Sequence, residues 1–125
     1  MRKSVILVVE DELDLLQIYD EYLSAMFSQY EVLCVSNLPT ALSSIIDLKE
    51  SNTPVKVAIV DYTLGLSRGT DVLRAMNESH PDTPMYLLTG RATPEVAAQA
   101  TELGATVLWK PVRMVDLAKL IGALQ

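Results

Sequence analysis

Five short apolar runs punctuate the chain, at residues 5–9, 32–35, 55–60, 85–88 and 106–109, each rich in valine, isoleucine or leucine and bounded by polar residues or turn formers. They have strand length and little alternation. Such runs suit strands buried on both faces, as in a parallel sheet covered by helices. Between them, apolar positions return at three- and four-residue intervals. Leu15, Leu16, Tyr19, Leu23, Met26 and Phe27 form the first of these stripes and predict a helix. Asn37 is placed to cap a second, with Ala41, Leu42, Ile45 and Ile46 inward and Pro54 beyond its end. Gly69 precedes a third, with Val72, Leu73 and Met76 inward. Thr93, Pro94 and Glu95 combine a cap, a first-turn proline and a first-turn acid for a fourth. Val96, Ala97, Ala100 and Leu103 mark its inward side, and Gly104 supplies a left-handed residue at its end. Pro111 halts the last strand, and Val115, Leu117, Ala118, Leu120, Ile121 and Leu124 stripe a fifth helix.

Strands alternating with helices require right-handed crossovers, because parallel neighbours need a helix-length connection. The expected fold is therefore α/β: a doubly wound, five-stranded parallel sheet with flavodoxin-like strand order 2-1-3-4-5. In such sheets the functional crevice lies at the carboxyl ends of the strands, where the strand order reverses. The chemistry is to be sought just after each apolar run.

Composition narrows the setting. A chain of 125 residues, half of them hydrophobic, is one domain's worth of core, and residues 1–125 are read as a single domain with no linker or second domain following. Acidic residues outnumber basic ones by 16 to 10, and a net charge of −6 disfavours direct binding to nucleic acid. Cys34 is the one cysteine, which excludes an internal disulfide and suits a reducing, cytoplasmic setting. The apolar run after Met1, Arg2 and Lys3 breaks at Glu10, too soon for a signal peptide or membrane insertion.

Glu10, Asp11 and Glu12 follow the first run, Asp61 the third, Thr89 and Gly90 the fourth, and Lys110 and Pro111 the fifth. Each has a plain reading by itself. The acids favour the positive end of a helix, Asp61 bounds a strand, Thr89 caps a turn, and Lys110 is solvated or balances a carboxylate. In the predicted topology, however, they converge on one edge, and carboxylates so crowded require a compensating cation. Oxygen donors without histidine or thiol point to a hard divalent ion, and magnesium fits. The Lys110 charge and the Thr89 hydroxyl could then hold the oxygens of a phosphoryl group on Asp61.

The order and spacing of these motifs resemble the receiver domain of two-component response regulators across the whole chain. The matching segments are Val8-Val9-Glu10-Asp11-Glu12, Ile59-Val60-Asp61-Tyr62, Gly69 eight residues after Asp61, Leu87-Leu88-Thr89-Gly90, and Lys110-Pro111. The resemblance implies that Asp61 takes a phosphoryl group from a phosphohistidine of a sensor histidine kinase or histidine phosphotransfer protein, or from a small donor. It implies Mg2+ held directly by Asp11, Asp61 and the backbone carbonyl of Thr63, and through water by Glu10. Thr89 and Lys110 would contact the phosphoryl group, and the Lys110–Pro111 bond would be cis. The domain would catalyse only its own phosphorylation and dephosphorylation. An output domain or downstream protein, or a second copy in a homodimer, would dock on the face of the fourth helix, fifth strand and fifth helix.

The sequence departs from the family pattern in three places. Glu10 stands where aspartate is commoner, and Gly65 stands where proline is frequent, predicting a more flexible loop. Val107 occupies the position of the usual switch aromatic and cannot rotate as an aromatic does. Trp109 is read as a packing residue, His80 as solvated, Cys34, Met26 and Met76 as core, and Tyr62 as shaping access to Asp61. Two other functions compete. A phosphorylation-independent interaction module is favoured by Val107 and opposed by the retained Asp61, Thr89 and Lys110. A flavin- or nucleotide-binding protein is opposed by acids where a glycine-rich loop would follow the first strand.

Overall fold

The computed structural model describes residues 3–91 and 93–124. In chain order the elements are β1 (Val5–Val9), α1 (Leu13–Met26), β2 (Glu31–Val35), α2 (Leu38–Glu50), β3 (Val55–Asp61), β4 (Thr63–Leu64), β5 (Ser67–Arg68), α3 (Gly69–Ser79), β6 (Met85–Thr89), α4 (Pro94–Glu102), β7 (Ala105–Trp109) and α5 (Met114–Gly122). The five longer strands pair in parallel in the order β2-β1-β3-β6-β7. Setting aside the short β4–β5 pair, this is the expected 2-1-3-4-5.

Alternation along each strand divides the core into two layers. Leu7, Val9, Val60 and Leu87 pack with Ile45 of α2, Leu73 and Met76 of α3 and Ala100 of α4. Ile6, Val8, Ile59 and Leu88 pack with Tyr19 and Leu23 of α1 and with Leu117 and Ile121 of α5. Burial on both faces holds for β1 and nearly all of β3 and β6, and it fails for the edge strands β2 and β7, where several residues are only half-buried. An edge strand has a neighbour on one side only.

The predicted caps form. The Asn37 side chain accepts from Thr40 N at 2.9 Å and Thr93 Oγ1 from Val96 N at 3.2 Å, while Gly104 takes a φ of +83° after α4. Several side-chain expectations need correction. Met26 and Ile46, both assigned inward, are 55% and 53% exposed. The buried stripe of α1 runs Leu16, Tyr19, Leu23 to Phe27, so Met26 falls one position off it, as Ile46 does beside Ile45. Val115 also faces out at the start of α5. Trp109 is 58% exposed rather than packed, because it ends the edge strand β7. His80 is half-buried at the end of α3, where its Nε2 donates to the Ile45 carbonyl at 3.1 Å, so it is not simply solvated. Cys34 is half-buried on the edge strand β2, against the α1 layer, while Met76 is fully buried as expected.

Gly65 lies in a short turn. Thr63–Leu64 and Ser67–Arg68 form an antiparallel hairpin joined by two residues, and Gly65 supplies the positive φ, +62°, that its first turn position needs. The loop therefore takes the form of a two-residue hairpin turn.

Ile45 and Ile46 test the orientation of α2. Ile45→Ala should cost about 2–5 kcal/mol by urea unfolding, the range for a buried isoleucine, and Ile46→Ala no more than about 0.5 kcal/mol. Equal losses would contradict the buried stripe described for this helix.

Candidate functional site

The carboxyl ends of β1, β3, β6 and β7 carry the residues singled out above. Strand parity sets their directions. Glu10, Asp61 and Lys110 continue the rows of Val8, Ile59 and Leu108, which face α1 and α5. Thr89 continues the row of Leu87, which faces α3 and α4.

One carboxylate oxygen from each of Glu10, Asp11 and Asp61 lies within 4.8 Å of the other two. Glu10 and Asp61 are buried and Asp11 is exposed. Lys110 Nζ lies 2.8 Å from Asp61 Oδ1 and 3.8 Å from Glu10 Oε1, offsetting part of the crowded negative charge. Backbone donors hold the other acids: Glu12 N donates to Glu10 Oε2 at 3.2 Å, and Gly65 N to Asp11 Oδ2 at 2.9 Å.

These surroundings shift several titrations. Burial pushes the Glu10 carboxyl up to about 7, with the Asp61 charge adding to the rise and the Glu12 N–H and Lys110 opposing it. Burial works against the Lys110 charge, yet the hydrogen bond to Asp61 and the nearby acids leave its ammonium above the ordinary lysine value. Tyr19, in the layer beneath, is raised by burial and then by Glu10 and Asp61. An all-oxygen set this compact is chemically suited to a small hard cation such as magnesium.

Thr89 is brought to the same edge but not into this cluster. Its buried hydroxyl accepts from Arg91 N at 3.1 Å. Thr63 is exposed and opens the hairpin two residues after Asp61. Val107 is half-buried against the α3–α4 layer, and the Lys110–Pro111 peptide is cis. Tyr62 packs partly into that layer, with the Arg68 guanidinium 5.6 Å from its ring centre.

Two contributors were not read from the sequence. The hairpin delivers Gly65 N to Asp11, and strands of two residues leave no periodic signal. Gly69 lets α3 begin against β3: a Cβ there would lie 2.1 Å from the Asp61 carbonyl oxygen. Its place eight residues after Asp61 is legible in the sequence, whereas the close approach exists only in three dimensions.

The family model for the response regulator receiver domain matches residues 6–122. The chain belongs to this family. As a receiver domain it serves phosphorylation-based two-component signalling rather than metabolic turnover. Over 70 residues it is 40% identical to the acid tolerance regulatory protein ActR of Sinorhizobium medicae, covering 55% of this chain and 36% of that protein. A receiver domain protein from Clostridium thermocellum is 29% identical with a TM-score of 0.78, covering 95% of this chain and 91% of that one. A response regulator protein from Burkholderia pseudomallei, solved with a phosphorylated aspartic acid, calcium ion and citrate, is 25% identical with a TM-score of 0.72, covering 98% of this chain and 67% of that one. The receiver domain spans only 36% and 26% of the lengths of the curated relatives it matches. Among its described residues, no helix is long and apolar enough to cross a membrane.

The Gly69 contact gives a direct test of how the site is built. Gly69→Ala should lower stability by about 2–4 kcal/mol in urea unfolding, because the new methyl meets backbone rather than a movable side chain. Gly122→Ala, where a Cβ would meet nothing within 4 Å, should be neutral or gain up to about 1 kcal/mol.

Proposed function

We propose that Asp61 is the phosphoacceptor of this receiver domain and that Mg2+ assists the reaction. The observation that carries the reading is the Lys110 ammonium 2.8 Å from an Asp61 carboxylate that shares its crevice with Glu10 and Asp11. Asp11, Asp61 and the Thr63 backbone carbonyl would hold the ion directly and Glu10 through water; bound there, it would offset the carboxylate charges and those of the incoming phosphoryl oxygens.

The donor is a phosphohistidine of a sensor histidine kinase or histidine phosphotransfer protein. An Asp61 oxygen attacks phosphorus as the P–N bond breaks, and the electron pair leaves on the imidazole nitrogen, which takes up a proton. Lys110 is positioned to exchange part of its contact with Asp61 for a phosphoryl oxygen. Thr89, whose hydroxyl now accepts from Arg91 N, turns to donate to another. The response then runs through residues 90–93, of which Ala92 lies outside the described residues, with Val107 moving little. The face of α4, β7 and α5 receives the output domain, a downstream protein or a second copy of the chain. Cytoplasmic location accords with a phosphorelay. A phosphorylation-independent module would have no use for a lysine aimed at Asp61.

Incubation with acetyl phosphate should add a phosphoryl mass to the protein in the presence of Mg2+. Asp61→Asn, which keeps the size and removes the nucleophile, should abolish it. An undiminished increment in that variant would overturn the assignment.

Magnesium titration followed by Trp109 fluorescence separates the two neighbouring acids. Asp11→Asn should weaken binding more than Glu10→Gln, whose loss should stay within the ~10–100-fold typical of a group acting through another ligand. Equal losses in folded variants, or a larger one at Glu10, would contradict the proposed coordination.

A further inference from the structure

At the amino ends of the strands lies a hollow of about 540 Å³, lined by residues of β1, β2, α2 and the loop that follows α2. Its size falls within the ~300–1,000 Å³ typical of sites for small molecules. Val5 and Glu31 open β1 and β2 and Thr53 precedes β3, whereas Asp61 ends β3, roughly 20 Å further along that strand. Val5, Leu33 and Leu48 give the lining an apolar part. Glu31 and Asp47 give it two carboxylates, and neither holds a cation among the described residues. Lys3, the basic residue of the lining, donates to the Ser28 carbonyl at 3.3 Å rather than to either acid. Lys49, in the last turn of α2, lines a different hollow.

The hydroxyls beside these acids act as acceptors. Ser51 Oγ donates to the Leu48 carbonyl at 3.3 Å and lies 2.7 Å from Thr53 Oγ1. With its own proton on Leu48, Ser51 accepts from Thr53, and both hydroxyl protons are spent inside the wall. Asp47 and Leu48 stand at the end of α2, where the negative end of the helix dipole adds to the acids. We infer that this hollow binds small aliphatic amines in their protonated form, with the ammonium drawn to Glu31 and Asp47 and the stem laid against the apolar part of the lining. An anion would meet carboxylates and helix carbonyls, and a neutral alcohol would gain the apolar contact alone. The inference stands apart from the assignment of Asp61, because no residue of the acidic crevice lines the hollow.

Titration of the full chain with butylammonium chloride at neutral pH, followed by amide NMR shifts, tests this. The shifts should centre on Glu31, Leu33, Asp47 and Ser51 and saturate with a Kd on the order of 1–10 mM. Methylammonium, which lacks the stem, should bind about tenfold more weakly, and butanol and butyrate should not saturate. Glu31→Gln and Asp47→Asn alter exposed side chains and leave the core intact. Each should weaken butylammonium binding by about threefold to fivefold, while Glu78→Gln, an exposed acid of α3 outside the lining, should not change it. Equal binding of butanol would mean that the hollow reads no charge, and an equal loss with Glu78→Gln would mean general attraction of cations to an acidic protein. Either result overturns the inference, as does a titration without saturation. Phosphoryl uptake is not read in this measurement, so the Asp61 assignment survives each of them.

Discussion

Carboxylates brought to one strand edge repel one another, and the architecture at the carboxyl end of the sheet is organised around that repulsion. Glu10 and Asp61 are buried beside the exposed Asp11, with oxygens from all three inside 4.8 Å. The Lys110 ammonium reaches two of them, and backbone amides of Glu12 and Gly65 hold Glu10 and Asp11. Each counterweight comes from a different segment. The site therefore exists only when β1, β3, β7 and the β4–β5 hairpin are all in place, and the parallel sheet puts three of these ends together. Burial, more than the charge of Asp61, pushes the Glu10 carboxyl up to about 7, against the Glu12 N–H and Lys110.

Much of this was legible because parallel strands buried on both faces leave near-continuous apolar runs and deliver their chemistry at one end. Val5–Val9 and Val55–Asp61 are such strands, and the polar residues that end or follow them lie in the crevice. Caps were equally readable, since Asn37 and Thr93 act on amides three residues ahead. What escaped depended on contacts rather than pattern. A helical stripe spaced at three and four residues does not distinguish Ile45 from Ile46, which only the packed layer separates. Trp109 has the composition of a core residue and the position of an edge. His80 acquires its partner from a carbonyl 35 residues away. The β4–β5 hairpin is too short to alternate, and Arg68 of β5 and Arg91 after β6 come to line one groove only in three dimensions.

The two sides of Asp61 are thus chemically unlike. Toward α1 and α5 stand acids and a lysine, where positive charge is short. Toward α3 and α4 stand Arg68 and Arg91, which hold no carboxylate among the described residues, a tyrosine face and the Thr89 hydroxyl. Val107 lies deeper on that second side, half-buried against its layer. A β-branched aliphatic there has one stiff torsion.

The hydrogen bond from Gly65 N to Asp11 ties the tip of the hairpin to an acid 54 residues earlier in the chain. Such a tether works as a thermodynamic linkage. Whatever draws Asp11 away loosens the turn, and whatever stiffens the turn holds Asp11 in place, with the same free energy in either direction. Leu66 is fully exposed at that turn. A shift of the hairpin tip is thereby felt at an acid in a distant segment of the chain.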